Sequence, residues 1–283
     1  MAKDVALVLS SGGARGLAHI GAIEELESQG YRITSIAGCS MGALIGGVYA
    51  AGKLEAFREW MKTVDRKKML ELTDFSFSLN HLVKGTRIIE AIMEFVPDVR
   101  IEDLPMPYCA VATDWKAGRE VVFRKGSLFK AIRASISLPT FYEPVQRDGM
   151  ILIDGGVTNP IPLNRVARHE GDILVGIDVS GHDYAAQSAL QHEIAEKRKH
   201  STSLSQQILN KLIPDHLDFN YYTMLSRVSS LMIRQNSILM AQLMKPDVLV
   251  DIQMARYGGF DYDKSEKIIA IGRQKTRQAL NKK

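Results

Sequence analysis

The chain opens on two copies of one pattern of apolar and polar positions. In the first, a continuous apolar run at 5–9 is followed by a glycine-rich stretch and then by apolar residues at helical spacing, which Gly30 ends. In the second, a strand-like segment at 33–37 leads through a tight turn into a helix of small residues at 43–51. Short apolar runs bounded by turns are typical of buried strands, and successive strand–turn–helix units are typical of a parallel sheet covered by helices. We therefore predict an α/β fold.

The rest of the pattern continues this alternation. Strands are expected at 108–113, 120–123, 150–153, 173–179 and 248–252, and helices over much of 53–95, at 128–136, after Pro160 and Pro162, at 221–243 and at 263–280. A Phe- and Ser-rich stretch at 73–80 is expected to be a loop, and the polar stretch at 182–218 an exposed, partly mobile insertion. The methionines and leucines of 221–243 are expected to fill the core, the commoner role of such a stripe.

Composition narrows the class of protein. A chain of 283 residues that is 46% hydrophobic can bury a full core, and we expect one domain over 1–283, with its core at about 4–180 and a helical C-terminal part at about 181–283. The net charge of +4 comes from interspersed lysines and arginines, a distribution that does not predict nucleic acid as a partner. The slight positive charge would assist transient contact with anionic lipid headgroups.

The cysteines and the apolar segments bear on location. Cys39 and Cys109 form neither a disulfide framework nor a zinc set, so a reducing compartment is expected. The sequence has no signal-peptide pattern and no run of about 18 uncharged apolar residues, the length expected of a membrane span. These features predict a cytoplasmic protein.

One candidate nucleophile lies in the second glycine-rich turn, Gly38-Cys39-Ser40-Met41-Gly42. This segment matches Gly-x-Ser-x-Gly between a predicted strand and a predicted helix, the context in which that motif presents a serine on a sharp turn. The backbone N–H of Met41, at the head of the helix, would face the oxyanion formed after attack by Ser40. The same residues can also form a compact turn with no catalytic role, and the flanking strand and helix favour the nucleophile.

The first glycine-rich turn is a candidate oxyanion hole, and its sequence is Ser11-Gly12-Gly13-Ala14-Arg15-Gly16. The N–H groups of Gly12, Gly13 and Ala14 are the expected donors, while Arg15 would fix the loop or meet a phosphate. Such turns also bind dinucleotides, and a nucleotide-binding or non-catalytic module is therefore an alternative. Against it, Ser11 replaces the first glycine of the fingerprint, and no ribose-binding acid follows near 34–36.

A serine hydroxyl needs a base within hydrogen-bond reach. Asp154 is the first candidate, because it ends an apolar strand and precedes Gly155 and Gly156, which allow close approach. Asp114 and Asp178 also end strand-like runs but are not followed by paired glycines.

None of the seven histidines has comparable surroundings, since each lies in a predicted helix, at a helix edge, or in or near the polar insertion. A Ser–Asp–His triad with His169 or His182 as the base nevertheless stays open as an alternative to a dyad.

Together, the glycine loop 11–16, the turn 38–42 and the Asp154 turn resemble the patatin-like phospholipase family. The likeness extends over about 4–180 and includes the stretches 134–139 and 158–162. The resemblance implies an α/β/α sandwich with a mainly parallel central sheet and a Ser40–Asp154 dyad that uses no histidine, metal or cofactor. It also implies an acyl-ester lipid substrate, an acyl-enzyme intermediate, and Asp154 as the base in both half-reactions. Ser11 departs from the family's usual glycine, which leaves the geometry of the loop open.

Overall fold

The structure is a computed structural model that describes residues 3–72, 85–139, 141–180, 221–253, 257–258 and 261–282. Its strands are β1 (Lys3–Leu9), β2 (Tyr31–Cys39), β3 (Tyr108–Asp114), β4 (Arg119–Phe123), β5 (Val145–Arg147), β6 (Met150–Asp154), β7 (Ile173–Asp178) and β8 (Val248–Asp251). Its α-helices are α1 (Ala18–Ser28), α2 (Met41–Ala50), α3 (Leu54–Lys62), α4 (Arg66–Leu72), α5 (Thr86–Met93), α6 (Leu128–Ser135), α7 (Tyr221–Met244) and α8 (Ser265–Leu280). The predictions for 73–80 and 182–218 lie outside the described residues.

One sheet joins all of these strands. Its order is β5-β6-β3-β2-β1-β7-β8, with β4 paired to β3. The run β3-β2-β1-β7-β8 is parallel, while β4, β5 and β6 pair antiparallel. The predicted α/β fold with a mainly parallel sheet is confirmed.

Apolar side chains are buried on both faces of the sheet, as expected where helices cover each side. On one face, Leu7 and Leu9 of β1 pack with residues of α1, α2 and α8. On the other face, Ala6 and Val8 pack with Ile161 and with the inner side of α7. The layers are therefore helix, sheet and helix. Within the described residues, no helix combines the length and the apolar composition needed to cross a bilayer.

The pairing along β3 brings two strand ends together. β2 runs parallel to β3 and ends with Cys39 opposite Val111, while β6 runs antiparallel and ends with Asp154 opposite Ala112. β4 pairs with β3 from Ala110, which lies opposite Phe123, to Asp114, which lies opposite Arg119. Because β4 occupies one edge of β3, β2 and β6 share the other edge. Their carboxyl ends consequently meet head to head. This arrangement places the residue after Cys39 beside Asp154.

Two predictions about elements were wrong. No helix follows Pro160 and Pro162; instead, the buried main chain bends at Pro160 and Ile161 and then forms a turn, and the carbonyl of Pro160 accepts a hydrogen bond from the N–H of Ser11. The methionines of α7 were predicted to fill the core, and only some of them do: Met240 and Met244 pack on it, whereas Met224 and Met232 are exposed. In both cases the contacts that determine the structure are made with residues distant in sequence.

Candidate active site

Ser40 lies on a sharp turn between β2 and α2. Its backbone has φ 54° and ψ −122°, a strained conformation for a residue that is not glycine. The turn is closed on both sides by glycines: a Cβ at Gly38 would overlap the carbonyl of Gly42, and one at Gly42 would overlap the carbonyl of Leu9. The strand–turn–helix context predicted for the Gly-x-Ser-x-Gly segment is therefore present. The strain and the close packing together aim the Ser40 hydroxyl out of the turn.

Asp154 is the partner of that hydroxyl. Ser40 Oγ donates a hydrogen bond to Asp154 Oδ2 at 2.5 Å, and the N–H of Gly156 donates to Asp154 Oδ1 at 2.7 Å. Both carboxylate oxygens thus have a donor. The residue between Asp154 and Gly156 must be glycine, because a side chain at Gly155 would overlap the carbonyl of Val111 in β3. Sequence reasoning named both Ser40 and Asp154, and the structure brings them into direct contact.

The environment of Asp154 changes its acidity. Burial raises the pKa of its carboxyl group from 3.8 to about 6, and the hydrogen bonds from Ser40 and Gly156 oppose that rise. Desolvation disfavours the charged carboxylate, which is why burial outweighs the two donors. A carboxyl group with this pKa is ionised at neutral pH yet is a stronger base than an exposed aspartate.

The end of α6 supports both members of this pair. The backbone N–H of Ser40 donates to Ser135 Oγ at 2.8 Å, and the Ser135 hydroxyl donates onward to the carbonyl of Val111 at 2.6 Å. Two residues later, the carbonyl of Ser137 accepts from the N–H of Asp154 at 2.9 Å. Sequence reasoning assigned no role to these serines. The signal available was the stretch 134–139, noted only as part of the family likeness.

The glycine loop runs directly from β1 into a 3-10 helix, Gly13–Leu17. Gly13 has φ 57°, and Arg15 is buried, with its Nε donating to the carbonyl of Gly12 at 3.2 Å. Of the two roles predicted for Arg15, the structure therefore supports the one that fixes the loop. The N–H groups of Gly13 and Ala14 begin the 3-10 helix and so have no acceptor within it.

The glycine loop and the nucleophile turn touch each other. Gly16 packs so closely on Met41 that a Cβ there would overlap the Met41 side chain, and the N–H of Met41 begins α2. Ser11, on the same loop, lies close to Gly156 of the aspartate turn. The three glycine-rich segments found in the sequence are thus neighbours in space.

The departure at Ser11 causes no strain. Ser11 is not among the residues with positive φ, so its backbone conformation is open to any residue. Its position is held by the hydrogen bond to the Pro160 carbonyl at 2.8 Å. Behind it, His19 Nε2 donates to the carbonyl of Ser10 at 2.9 Å. Burial lowers the pKa of His19 to about 4, so the ring is neutral at physiological pH and supports the loop as a donor.

The other candidate bases do not approach Ser40. Asp114 accepts from the backbone of its own turn, and Asp178 bonds Ser180 and Arg234. His169 is exposed and lies near Asp4, at the opposite end of β1 from the glycine loop. His182 lies outside the described residues.

Comparison with known proteins shows which family this chain resembles. A family model described as patatin-like phospholipase matches residues 7–167, more than half of the chain. An uncharacterised NTE family protein of Mycobacterium tuberculosis is 46% identical over 177 residues, which cover 62% of this chain and 49% of that protein. Neuropathy target esterase sws of Drosophila melanogaster is 32% identical over 188 residues, covering 64% of this chain and 13% of that protein. The chain spans about half the length of the mycobacterial relative.

A solved structure agrees on the fold. VipD from Legionella pneumophila superposes with a TM-score of 0.52 at 14% identity, over 99% of this chain and 67% of VipD. At this identity the likeness concerns the architecture alone, and it covers the C-terminal part that the family model does not match.

Proposed function

Because the chain belongs to the patatin-like phospholipase family, we propose that it is a serine acyl hydrolase that cleaves carboxylic esters of lipids through a Ser40–Asp154 dyad. Membership of this family supports lipid hydrolysis in general. The observation that carries the finer proposal is the 2.5 Å hydrogen bond from Ser40 Oγ to Asp154 Oδ2, made by a strained nucleophile and a buried carboxylate whose pKa is about 6.

In the first half-reaction, Ser40 Oγ attacks the ester carbonyl carbon as its proton passes to Asp154. The carbonyl oxygen gains the negative charge in the tetrahedral intermediate. When that intermediate collapses, the bond to the leaving alkoxide breaks, and the alkoxide takes the proton from Asp154. The products of this step are the free alcohol and an acyl group bound to Ser40.

In the second half-reaction, Asp154 accepts a proton from a water molecule that attacks the acyl carbon. A second tetrahedral intermediate forms and then expels Ser40 Oγ, which recovers its proton from Asp154. The fatty acid is released and the dyad returns to its starting state. Asp154 is thus the only base that the two half-reactions need.

The oxyanion in both half-reactions needs donors. We assign them to the N–H groups of Gly12, Gly13, Ala14 and Met41. Support comes from the contact between the two turns that carry these groups, and from helix starts that leave Gly13, Ala14 and Met41 without an intrahelical acceptor. The N–H of Ser40 is not a donor in this scheme, because Ser135 Oγ accepts it.

Active-site labelling tests the nucleophile. A fluorophosphonate should label Ser40 in the folded protein, as read by peptide mass spectrometry, and a p-nitrophenyl ester should be hydrolysed. Ser40→Ala should abolish both signals. An unlabelled Ser40 together with an intact ester would overturn the proposal, and tight NAD or ATP binding by calorimetry in that case would favour the nucleotide-binding alternative.

A second set of variants distinguishes the dyad from a triad. Asp154→Asn should remove turnover while leaving the fold intact, whereas His169→Ala and His182→Ala should keep most of it. Loss of turnover in either histidine variant, with Asp154→Asn still active, would show that a histidine is the base.

We also propose a cytoplasmic setting with transient contact at a membrane surface. Both cysteines are free and buried, which fits a reducing compartment. A lipid substrate is held in an aggregate or bilayer, so the enzyme must approach that surface to reach it.

A further inference from the structure

Helix α7 is fixed to the sheet by one of its faces. Arg234 forms ion pairs with Asp178 at 2.8 Å and Asp251 at 2.6 Å, at the carboxyl ends of β7 and β8. Ser237, which is fully buried, is 3.0 Å from the hydroxyl of Ser180. These polar contacts, together with packing of Met240 on the core, determine which side of the helix faces outward.

The outward face of α7 is apolar. Its large side chains recur at helical spacing on the side opposite Arg234 and Ser237, and those exposed by 41% to 74% are Met224, Val228, Leu231, Met232, Leu239 and Leu243. We call this set the α7 stripe. Two exposed polar residues, Gln235 and Gln242, lie within its line. Scattered exposed apolar residues are ordinary, but a contiguous row on a rigidly anchored helix marks an interaction surface.

The charges of α7 fit a lipid surface. Its 24 residues include Arg227 and Arg234 and no Asp or Glu. Arg227 is exposed close to the stripe, while Arg234 faces the sheet. Among the residues of α7 itself, the outward side therefore carries apolar side chains and an arginine, and no carboxylate that phosphate headgroups would repel. This combination is the one that lets a helix lie in the plane of a lipid–water interface.

The helix that carries the stripe contacts the candidate active site. Helix α7 packs against the turn Gly155–Val157, which directly follows Asp154. Val157, the last residue of that turn, is itself 43% exposed and places an apolar side chain at the surface there. A lipid surface held against α7 would therefore lie near the turn that follows the general base.

We propose that the α7 stripe is the face that the protein lays on the surface of a lipid aggregate, which brings its active site to the substrate. This inference rests on the proposed lipid hydrolase function and adds the surface through which it works. A second copy of the chain fits less well, because stable protein interfaces use about 20–30 residues on each side and the stripe supplies six.

Vesicle sedimentation tests the inference apart from catalysis. In a Ser40→Ala background, which leaves the lipid intact, the full chain should bind vesicles of phosphatidylcholine and phosphatidylglycerol. Leu239→Gln with Leu243→Gln should weaken that binding by about tenfold, since both side chains would leave the hydrocarbon. Gln235→Leu should strengthen it by adding an apolar side chain to the row. Met93→Gln, at an exposed methionine on α5, is the matched control and should change nothing.

With Ser40 present, the α7 variants should hydrolyse a soluble short-chain ester at the wild-type rate and lose activity only on vesicles. Unchanged vesicle binding in the double variant would overturn the inference, as would light scattering that shows a wild-type dimer and a monomeric variant. Failure of the proposed hydrolase function would look different: Ser40 would stay unlabelled while vesicle binding by the Ser40→Ala protein persisted.

Discussion

At the scale of single residues, Asp154 meets two opposing requirements. It must be ionised to accept a proton, yet it is buried at the junction of β2 and β6, where a charge is costly. The N–H of Gly156 and the hydroxyl of Ser40 stabilise the carboxylate, but they do not fully replace water. The carboxyl group therefore titrates near 6, and this shift has consequences both for activity and for stability.

Activity should follow the ionisation of Asp154. Because the base must be a carboxylate, kcat/KM for a soluble p-nitrophenyl ester should rise about tenfold per pH unit at low pH and level off above about 6. Initial rates between pH 4 and 8 measure the profile. A midpoint near 4 would indicate a solvated carboxylate and contradict the buried setting.

Stability should show the opposite dependence. Since folding raises the pKa of Asp154, the native state is favoured while the group is protonated and loses that advantage as pH rises from about 4 to about 6. Asp154→Asn removes the buried charge and keeps both contacts, with Oδ1 accepting from the N–H of Gly156 and Nδ2 donating to Ser40 Oγ in the reverse direction. It should therefore raise the free energy of unfolding relative to wild type by up to about 3 kcal/mol above pH 6, as measured by urea titration. A difference that is the same at pH 4 and pH 7 would exclude this cause.

Ser135 should be a positioning residue for the nucleophile. Its hydroxyl accepts from the N–H of Ser40 and holds the strained turn, so Ser135→Ala should lower kcat by about tenfold with little change in KM. Ser137→Ala is the matched control, because it removes an equally buried hydroxyl that bonds Arg133 instead. The rate of fluorophosphonate labelling at Ser40 separates the two. Equal slowing in both variants would indicate a general loss of packing.

The sequence was sufficient to predict the nucleophile and its base, but not the residues that position them. Ser40 and Asp154 are flanked by glycines, which signal tight turns in the sequence itself. Ser135 has no such signal, and its partner Ser40 is 95 positions away. Only the folded chain shows that the end of α6 lies beneath the nucleophile.

At the scale of elements, the contact between α1 and α8 matters because α1 follows the glycine loop. The two helices cross with their backbones almost touching: a Cβ at Gly21 would overlap the carbonyl of Ile269, and one at Gly272 would overlap that of Ala18. Arg277 adds a pair of hydrogen bonds at 2.8 Å to the buried Glu25. The C-terminal helix thus supports the element that holds the candidate oxyanion hole.

Gly272→Ala should therefore destabilise the protein, although alanine is the better helix former. Overlap with the Ala18 carbonyl forces the helices apart, and overpacking of this kind costs about 1–3 kcal/mol. Thermal unfolding followed by circular dichroism measures the loss. Gly258→Ala, where a Cβ would be 3.9 Å from its nearest neighbour, Asp261 Oδ2, should have little effect. Equal melting temperatures for the two variants would contradict the close packing.

The elements that sequence patterns predicted are those whose own residues determine them. β1, β3 and β7 carry mostly apolar runs, because both of their faces are covered, and β2 carries Ile33, Ile36 and Ala37. Each of these strands was predicted to within a few residues. β5 was missed, since its three residues, Val145–Arg147, are half-buried or exposed and depend on pairing with β6. The segment after Pro160 is likewise held by distant contacts: Ile161 packs with Ala6 and Val8 of β1. No local sequence pattern reveals such contacts.

At the scale of the whole molecule, the fold extends beyond the part that the family model matches. The match ends at residue 167, but β7 pairs with β1 in the middle of the sheet and β8 pairs with β7. Helix α8 then returns to cover α1. The prediction of one domain over 1–283 stays a prediction, and this return of the chain is the reason to expect it.

Truncation tests that expectation. A chain ending at Ser180 would lack α7, β8 and α8, which would expose the edge of β7 and the face of α1 that α8 covers. We expect such a fragment to lose cooperative unfolding in urea, since those contacts are what closes the core around the glycine loop. A chain ending at Leu280 removes only residues beyond α8 and should unfold as the full chain does. If the Ser180 fragment unfolded in a single sharp transition with near-native stability, the C-terminal part would be an appendage rather than a portion of the same core.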